Sequence, residues 1–196
     1  MKILTPILVG TTLLFTQLTG LAQADTAKIA QKALFFADSL NKTDNYQSWS
    51  AYADLVPASV LKYYGGKDGF IEHVKKGRKR TVSSIEEEKP EMKLLSLRTE
   101  NDQWQCVIRQ SRYFHREDNK KYHVVTYFLG QSRDEGETWR LFDVSYNSVA
   151  NIIYMLPDVF GDLAIPEPTI LSEEEELARQ QAAKPPAGKA KAPKKS

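Results

Sequence analysis

The sequence predicts an α+β domain in which N-terminal helices pack on a curved antiparallel sheet of about four strands. Two observations carry this prediction. Apolar residues recur at helical spacing through the first half of the body, and the spacing then changes to alternation in segments rich in aromatic and β-branched residues. The stretches between those later segments, "ENDQ", "REDNKK" and "DEGE", are short, and short connections demand antiparallel neighbours. Helices first and strands after give α+β rather than an alternating parallel fold. With 196 residues and no internal repeat, the chain has room for one such core between two atypical ends.

The first end is "MKILTPILVGTTLLFTQLTGLAQA", a single Lys2, an interrupted apolar run, and then Ala22-Gln23-Ala24. The small-x-small ending predicts a signal peptide over residues 1–24, with the mature chain starting near Asp25 in the periplasm or outside the cell. Thr, Gln and Gly break the run before it reaches the roughly 20 apolar residues of a spanning helix, so no transmembrane anchor is expected after cleavage. The other end, residues 184–196, is a Lys/Pro/Ala tail that lacks the side chains to bury a core, and a disordered segment is expected. Five of the 27 basic residues lie there and one in the signal; the remaining 21 face 25 acids, so the body is about −4. The basic balance of the chain therefore describes a tail and not a binding face.

Within the body, residues 25–171, "DTAKIAQKALFFADSLNK" places Ala30, Ala33, Leu34, Ala37 and Leu40 on one helical face. "DNYQSWSAYADLV" continues with Tyr46, Trp49 and Tyr52 or Ala53, and Asp44 is in place to cap it. "PASVLKYYGG" ends on a Gly pair, and "KDGFIEHVKKGRKR" turns Phe70, Ile71 and Val74 inward. Four strands follow in "EMKLLSLRTEN", "QWQCVIRQSRYF", "YHVVTYFLGQS" and "ETWRLFDVS". A short helix or turn and an apolar tether, Leu163 to Ile165, close the body. In residues 172–183, Ser172 and Glu175 form the capping box of a short charged helix whose glutamates sit at the positive end of its dipole.

"SRDEGETW", residues 132–139, fits the Asp-box pattern of sialidase propeller blades. Its chemistry is local: Asp134 accepts from nearby backbone N–H groups with Ser132 and Thr138 around it, Gly136 permits positive φ, and Trp139 covers the hairpin. The motif occurs once in a chain too short for a propeller, so a structural turn is expected and a glycosidase is not.

If Leu129 faces Leu141 across that hairpin, then Val125, Leu129, Trp139 and Leu141 line one apolar face, and Tyr127 lies opposite Asp143. A phenol beside a buried acid can stabilise an oxyanion, because an apolar site keeps the acid protonated. A register change of one residue would separate the pair. Asp54, the other acid in view as a base, is explained by its position at a helix end. His73, His115 and His123 lack metal-ligand spacing, so no metal and no other cofactor is expected. The lone Cys106 cannot form an internal disulfide and reads as a small core residue. The cluster Lys75, Lys76, Arg78, Lys79 and Arg80 reads first as a solvated helix end; an anionic envelope surface is the alternative partner for it and for the tail, and export argues against nucleic acid.

The helical first half, "LVPASVLKYYGGKDGFIEHV", and the strands ending in "TYFLGQSRDEGETWRLFDVS" together resemble the nuclear transport factor 2-like superfamily over residues 26–166. The resemblance is one of layout. It implies a cone, with a bent sheet wrapped round helices and a pocket between them, in a superfamily that includes ketosteroid isomerases and polyketide cyclases. The resulting expectation is an exported, non-enzymatic domain that binds a small apolar ligand or a protein partner, with homodimer formation through the sheet. The alternatives are an isomerase or cyclase using Tyr127 and Asp143, and an envelope binder acting through the tail.

Overall fold

The computed structural model describes residues 10–79, 89–115 and 120–183, with side chains from residue 25 onward except at 78 and 79. Four helices come first: α1 (Gly10–Asn45), α2 (Trp49–Asp54), α3 (Ala58–Tyr63) and α4 (Lys67–Lys79). An antiparallel sheet follows, made of β1 (Glu91–Glu100), β2 (Gln103–His115), β3 (Lys121–Ser132) and β4 (Arg140–Asp143). Then come α5 (Val149–Met155), β5 (Thr169–Ser172) and α6 (Glu173–Ala183). The architecture is α+β with an open five-stranded sheet. Its order is β1-β2-β3-β4, with β5 paired to the first half of β3 beyond the reach of β4. The fifth strand, "TILS", is an addition to the meander expected from alternation.

Helix α1 continues across the junction expected at Ala24–Asp25, so cleavage there would leave residues 25–45 as the first helix of the mature chain. Ala33, Ala37, Leu40 and Asn41 form its buried stripe, spaced to return to one side every turn. Asp44 does not cap α2. It lies inside the last turn of α1, where its carbonyl accepts from the Gln47 N–H at 2.9 Å. Gln47 adopts φ +54 to redirect the chain, and Ser48 precedes α2 without a side-chain cap. The rings of Tyr52 and Tyr64 bracket Phe70 of α4 at 5.9 and 5.6 Å, which welds α2, the end of α3, and α4 together.

The β1–β2 connection is the two-residue turn Asn101-Asp102, both at positive φ (+48 and +59), a backbone that suits the twist of the flanking strands. On β2, Gln105, Cys106, Val107 and Ile108 are buried in succession, which means that both sheet faces are covered. Helix α1 covers one face: the Asn41 amide oxygen accepts from the Gln110 side chain at 3.0 Å, and Gln110 accepts from Thr126 at 3.2 Å. The C-terminal segment covers the other, where the Gln105 side chain donates to the Asp158 carbonyl at 2.6 Å and accepts from the Phe160 N–H at 3.0 Å. The outer edge of β4 is met by Leu55, whose carbonyl accepts from the Leu141 N–H at 2.8 Å.

Candidate functional site

The hairpin of residues 132–139 is a closed hydrogen-bond unit. Both carboxylate oxygens of Asp134 are used: one accepts from the Ser132 hydroxyl (2.8 Å) and the Thr138 N–H (2.9 Å), the other from the Thr138 hydroxyl (2.6 Å). The Ser132 oxygen in turn accepts from the Gly136 N–H at 3.0 Å, and the Trp139 indole donates to the Gly136 carbonyl at 3.0 Å. Hydrogen bonding from Thr138 is the main reason that the Asp134 carboxyl is held below the usual carboxylate range. Gly136 stands at φ +83 against the side chain of Ile29, where a Cβ would lie 2.6 Å away. Ion pairing between Lys32 and Glu137 fastens the same turn to α1. Ser132, Asp134, Thr138 and Trp139 are therefore spent on closing the turn, while Arg133 reaches out to the Asp158 carboxylate at 2.5 Å.

That turn also sets the register, and the register differs by one residue from the pairing assumed above. Leu129 pairs with Phe142, Gly130 with Leu141, and Phe128 with Asp143. Tyr127 is consequently not opposite Asp143; its carbonyl accepts from the Val144 N–H at 3.0 Å, and its N–H donates to the Ser145 hydroxyl. A shift of one exchanges sheet faces. Asp143 joins the helix-facing side, where its charge, after burial, pushes the phenol of Tyr52 upward. The acid meets a tyrosine from α2 instead of one from its own sheet. Its carboxylate also accepts from the Ser145 N–H at 2.9 Å.

The same shift divides the four expected pocket residues. Trp139 and Leu141, both fully buried, pack with Cys106 over Gly130 on the helix-facing side, where a Cβ on Gly130 would sit 2.7 Å from the Cys106 sulfur. Leu129, equally buried, belongs to the opposite face beneath the C-terminal segment, and the partly buried Val125 lies beside β5, paired with Thr169. They do not surround a common cavity. Burial pushes the Cys106 thiol up to about 12, against a smaller pull from the Gly130 backbone, so the thiol stays protonated and inert.

A cleft lies elsewhere. Val144, Ile152, Ile153, Val159, Phe160 and Leu163 supply most of the apolar lining of a hollow of about 630 Å³ between α5 and residues 159–168. Ser145, Asn147, Ser148 and Glu167 add polar groups at its wall. Helix α5 starts there because Ser148 caps it, accepting from the Asn151 N–H at 3.2 Å. The cleft continues onto exposed apolar side chains of the same helix, Val149, Ile153 and Tyr154, and the Tyr154 ring meets that of Tyr63 edge-on at 5.7 Å.

A second hollow, of about 200 Å³, lies where α6 rests on the sheet and is lined by Tyr113, Lys121, His123, Glu173, Glu176 and Leu177 among others. His123 is the centre of its polar chemistry. Its Nε2 is 2.6 Å from the Ser111 hydroxyl and its Nδ1 is 3.0 Å from a Glu176 carboxylate oxygen, while its ring stacks on Tyr113 at 4.5 Å. The strand pairing explains the contact: Tyr113 faces His123 across the hairpin, so Ser111 is its diagonal neighbour on the same face. Glu176 comes from α6, which Ser172 and Glu175 cap reciprocally at 2.8 and 3.3 Å.

The remaining candidates are scattered. His73 packs its ring on Tyr64, 4.3 Å away, and His115 pairs across the hairpin with Lys121. Asp54, at the end of α2, is ion-paired with Lys67 at 2.6 Å and its side chain is largely exposed. Lys75 and Lys76 ride on the solvent side of α4, Lys76 loosely paired with Glu72 at 3.9 Å. The side chains of Arg78 and Lys79, together with Arg80 and the tail at 184–196, lie outside what the structure describes. Among the described residues, no helix is long and apolar enough to cross a membrane.

Both hollows escaped the sequence reading. The cleft depends on a non-periodic stretch, residues 156–168, folding back over the sheet. The His123 cluster was open to inspection: residues 111 and 123 stand on one face of the paired strands β2 and β3. Only its third member, Glu176, eleven residues beyond the Leu163–Ile165 tether, needed the fold. Comparison of the chain with models of protein families, with curated proteins and with solved structures found no match.

Proposed function

We propose that this chain is an exported binding domain of the nuclear transport factor 2-like layout, and that it takes a small apolar ligand into the cleft beside α5. The observation that carries the reading is the cleft itself, a hollow of about 630 Å³ with an apolar lining and a few polar groups at the wall. That volume and chemistry are those of small-molecule sites. The succession of helices and an open antiparallel sheet supports the layout, and the Ala22-Gln23-Ala24 sequence supports export. The cleft differs from the pocket that the layout implies, since it sits on the sheet face away from α1.

Native mass spectrometry of residues 25–196, purified without denaturant, tests the reading when compared with the denatured mass. The expected result is an additional non-covalent mass that Ile153→Asn removes while leaving the thermal midpoint almost unchanged, because Ile153 is 53 % exposed and contributes little to the core. A bare monomer that also fails to bind an anilinonaphthalene dye would sink the proposal. A bare dimer would replace it with a protein-binding surface over Tyr63, Val149 and Tyr154, which are exposed and contiguous with the cleft.

A further inference from the structure

The hydrogen-bond chain at α6 has the order that acyl-transfer chemistry requires: hydroxyl, imidazole, carboxylate. The Glu176 oxygen nearest His123 accepts at Nδ1 and also from the Gln180 amide at 3.5 Å, so it is held in place from two sides. A carboxylate at Nδ1 selects the tautomer with its proton there and leaves Nε2 as an acceptor. The Ser111 hydroxyl then donates to Nε2 across 2.6 Å, which is the alignment of a nucleophile with its general base. The imidazole is stacked as well as hydrogen-bonded, with Tyr113 against one face at an interplanar angle of 15°. This fixes its plane, as a base that shuttles a proton needs.

We infer that Ser111, His123 and Glu176 form a hydrolytic site for small carboxylic esters. Ser111 Oγ attacks the carbonyl carbon and its proton passes to His123 Nε2. The tetrahedral oxyanion collapses, the carbon–oxygen bond to the alcohol breaks, and His123 returns the proton to the leaving oxygen. Water then attacks the acyl-serine, gives a proton to Nε2, and releases the carboxylic acid as Ser111 Oγ recovers its proton. A hollow of about 200 Å³ opens on the carboxylate side of this chain, at His123 and Glu176, with Tyr113 and Leu177 as its apolar walls. Lys121 lines the same hollow, its ammonium 4.6 Å from the centre of the Tyr113 ring. Ser111 retains 8 % of its surface, and the His123 and Glu176 side chains retain 16 % and 20 %. The group is thus shielded without being sealed. This site is separate from the cleft beside α5 and stands or falls independently of it.

The test uses the full folded chain with p-nitrophenyl butyrate as substrate and a fluorophosphonate as covalent probe. The expected result is one probe adduct, mapped by peptide mass spectrometry to Ser111, that disappears when the chain is heat-unfolded first. Ser111→Ala should lower hydrolysis by about 100-fold or more, the ordinary loss when a nucleophile–base pair is broken. Glu176→Gln should lower it too while the thermal midpoint stays close to wild type. A native chain that takes no label at Ser111 overturns the inference. So does a Glu176→Gln variant that loosens α6 without changing the rate, because the three residues would then be a latch for that helix. His123→Asn reports on the base; if it fails to fold, the conservative Ser111→Ala still decides.

Discussion

On the helix-facing side of β2 and β3, Cys106, Ile108, Phe128, Trp139 and Leu141 meet α1 and one another, and the polar groups present there, Gln110, Thr126 and Asn41, close on each other. The opposite side of the same two strands is assembled differently. It carries Gln105, Ser111, His123 and Gln131 among its apolar residues, and its cover is a non-repetitive segment held by side-chain-to-backbone bonds. Buried side-chain nitrogens of Gln103, Arg109 and Gln131 on this side have no hydrogen-bond partner among the described residues. Both hollows open here. A face closed by interdigitating apolar groups gains the most from burial and leaves little room; a face closed by a few polar anchors is weaker per residue and leaves gaps that can be put to use.

The difference should be visible in stability before anything else. Trp139→Ala empties the largest fully buried side chain from the helix-facing side and should cost about 3–5 kcal/mol, the usual range for removing a buried tryptophan. Urea unfolding followed by far-UV circular dichroism measures this. A loss below about 1 kcal/mol would mean that the helix-facing side is not the better-packed one, and the comparison would fail.

On the outer side, Gln105→Ala is the matching experiment. It leaves the Asp158 carbonyl and the Phe160 N–H without their side-chain partner, at an expected cost of about 1–3 kcal/mol. The location of the damage is more telling than its size. Hydrogen exchange should rise first and most in residues 156–166, with β2 still protected, because Gln105 is the buried anchor of that segment and only the exposed pairs Arg133–Asp158 and Arg98–Asp162 would remain. Uniform acceleration across the sheet would show the cover and the sheet to be one cooperative unit.

How far these two sides could be read from sequence follows from the same contrast. Alternation and helical spacing located α1, α2, α4 and four strands because each carries a periodic apolar face. Register was a different matter. Phe128 and Leu129 on β3, and Leu141 and Phe142 on β4, are adjacent pairs buried on both faces, so alternation there carries no information about which residue is opposite which. The Asp-box turn decides it, through hydrogen bonds whose closure residue counting does not specify. That single step moved Asp143 from Tyr127 to the neighbourhood of Tyr52 and split Leu129 from Leu141. The cover at residues 156–168 was read only as a tether, because its attachment rests on Gln105, a polar residue in a strand that otherwise reads as ordinary core.

The smallest expected effect concerns the hairpin that joins the two sides. Asp134 has its folded pKa lowered, chiefly by hydrogen bonding from Thr138. Its contribution is therefore complete at pH values above the unfolded carboxylate range, near 3.9, and is lost as pH falls through the lower folded value. Asp134→Ala should cost about 1 kcal/mol at neutral pH, the modest end for charge-assisted hydrogen bonds, because the carboxylate lies close to solvent. Denaturation midpoints for wild type and variant should then converge as the pH is lowered below about 4. Curves that stay parallel would mean that the turn is held without the charge. Gly136 against Ile29 and the Trp139 indole bond would then be what closes it, and the hairpin would belong wholly to the packed side of the molecule.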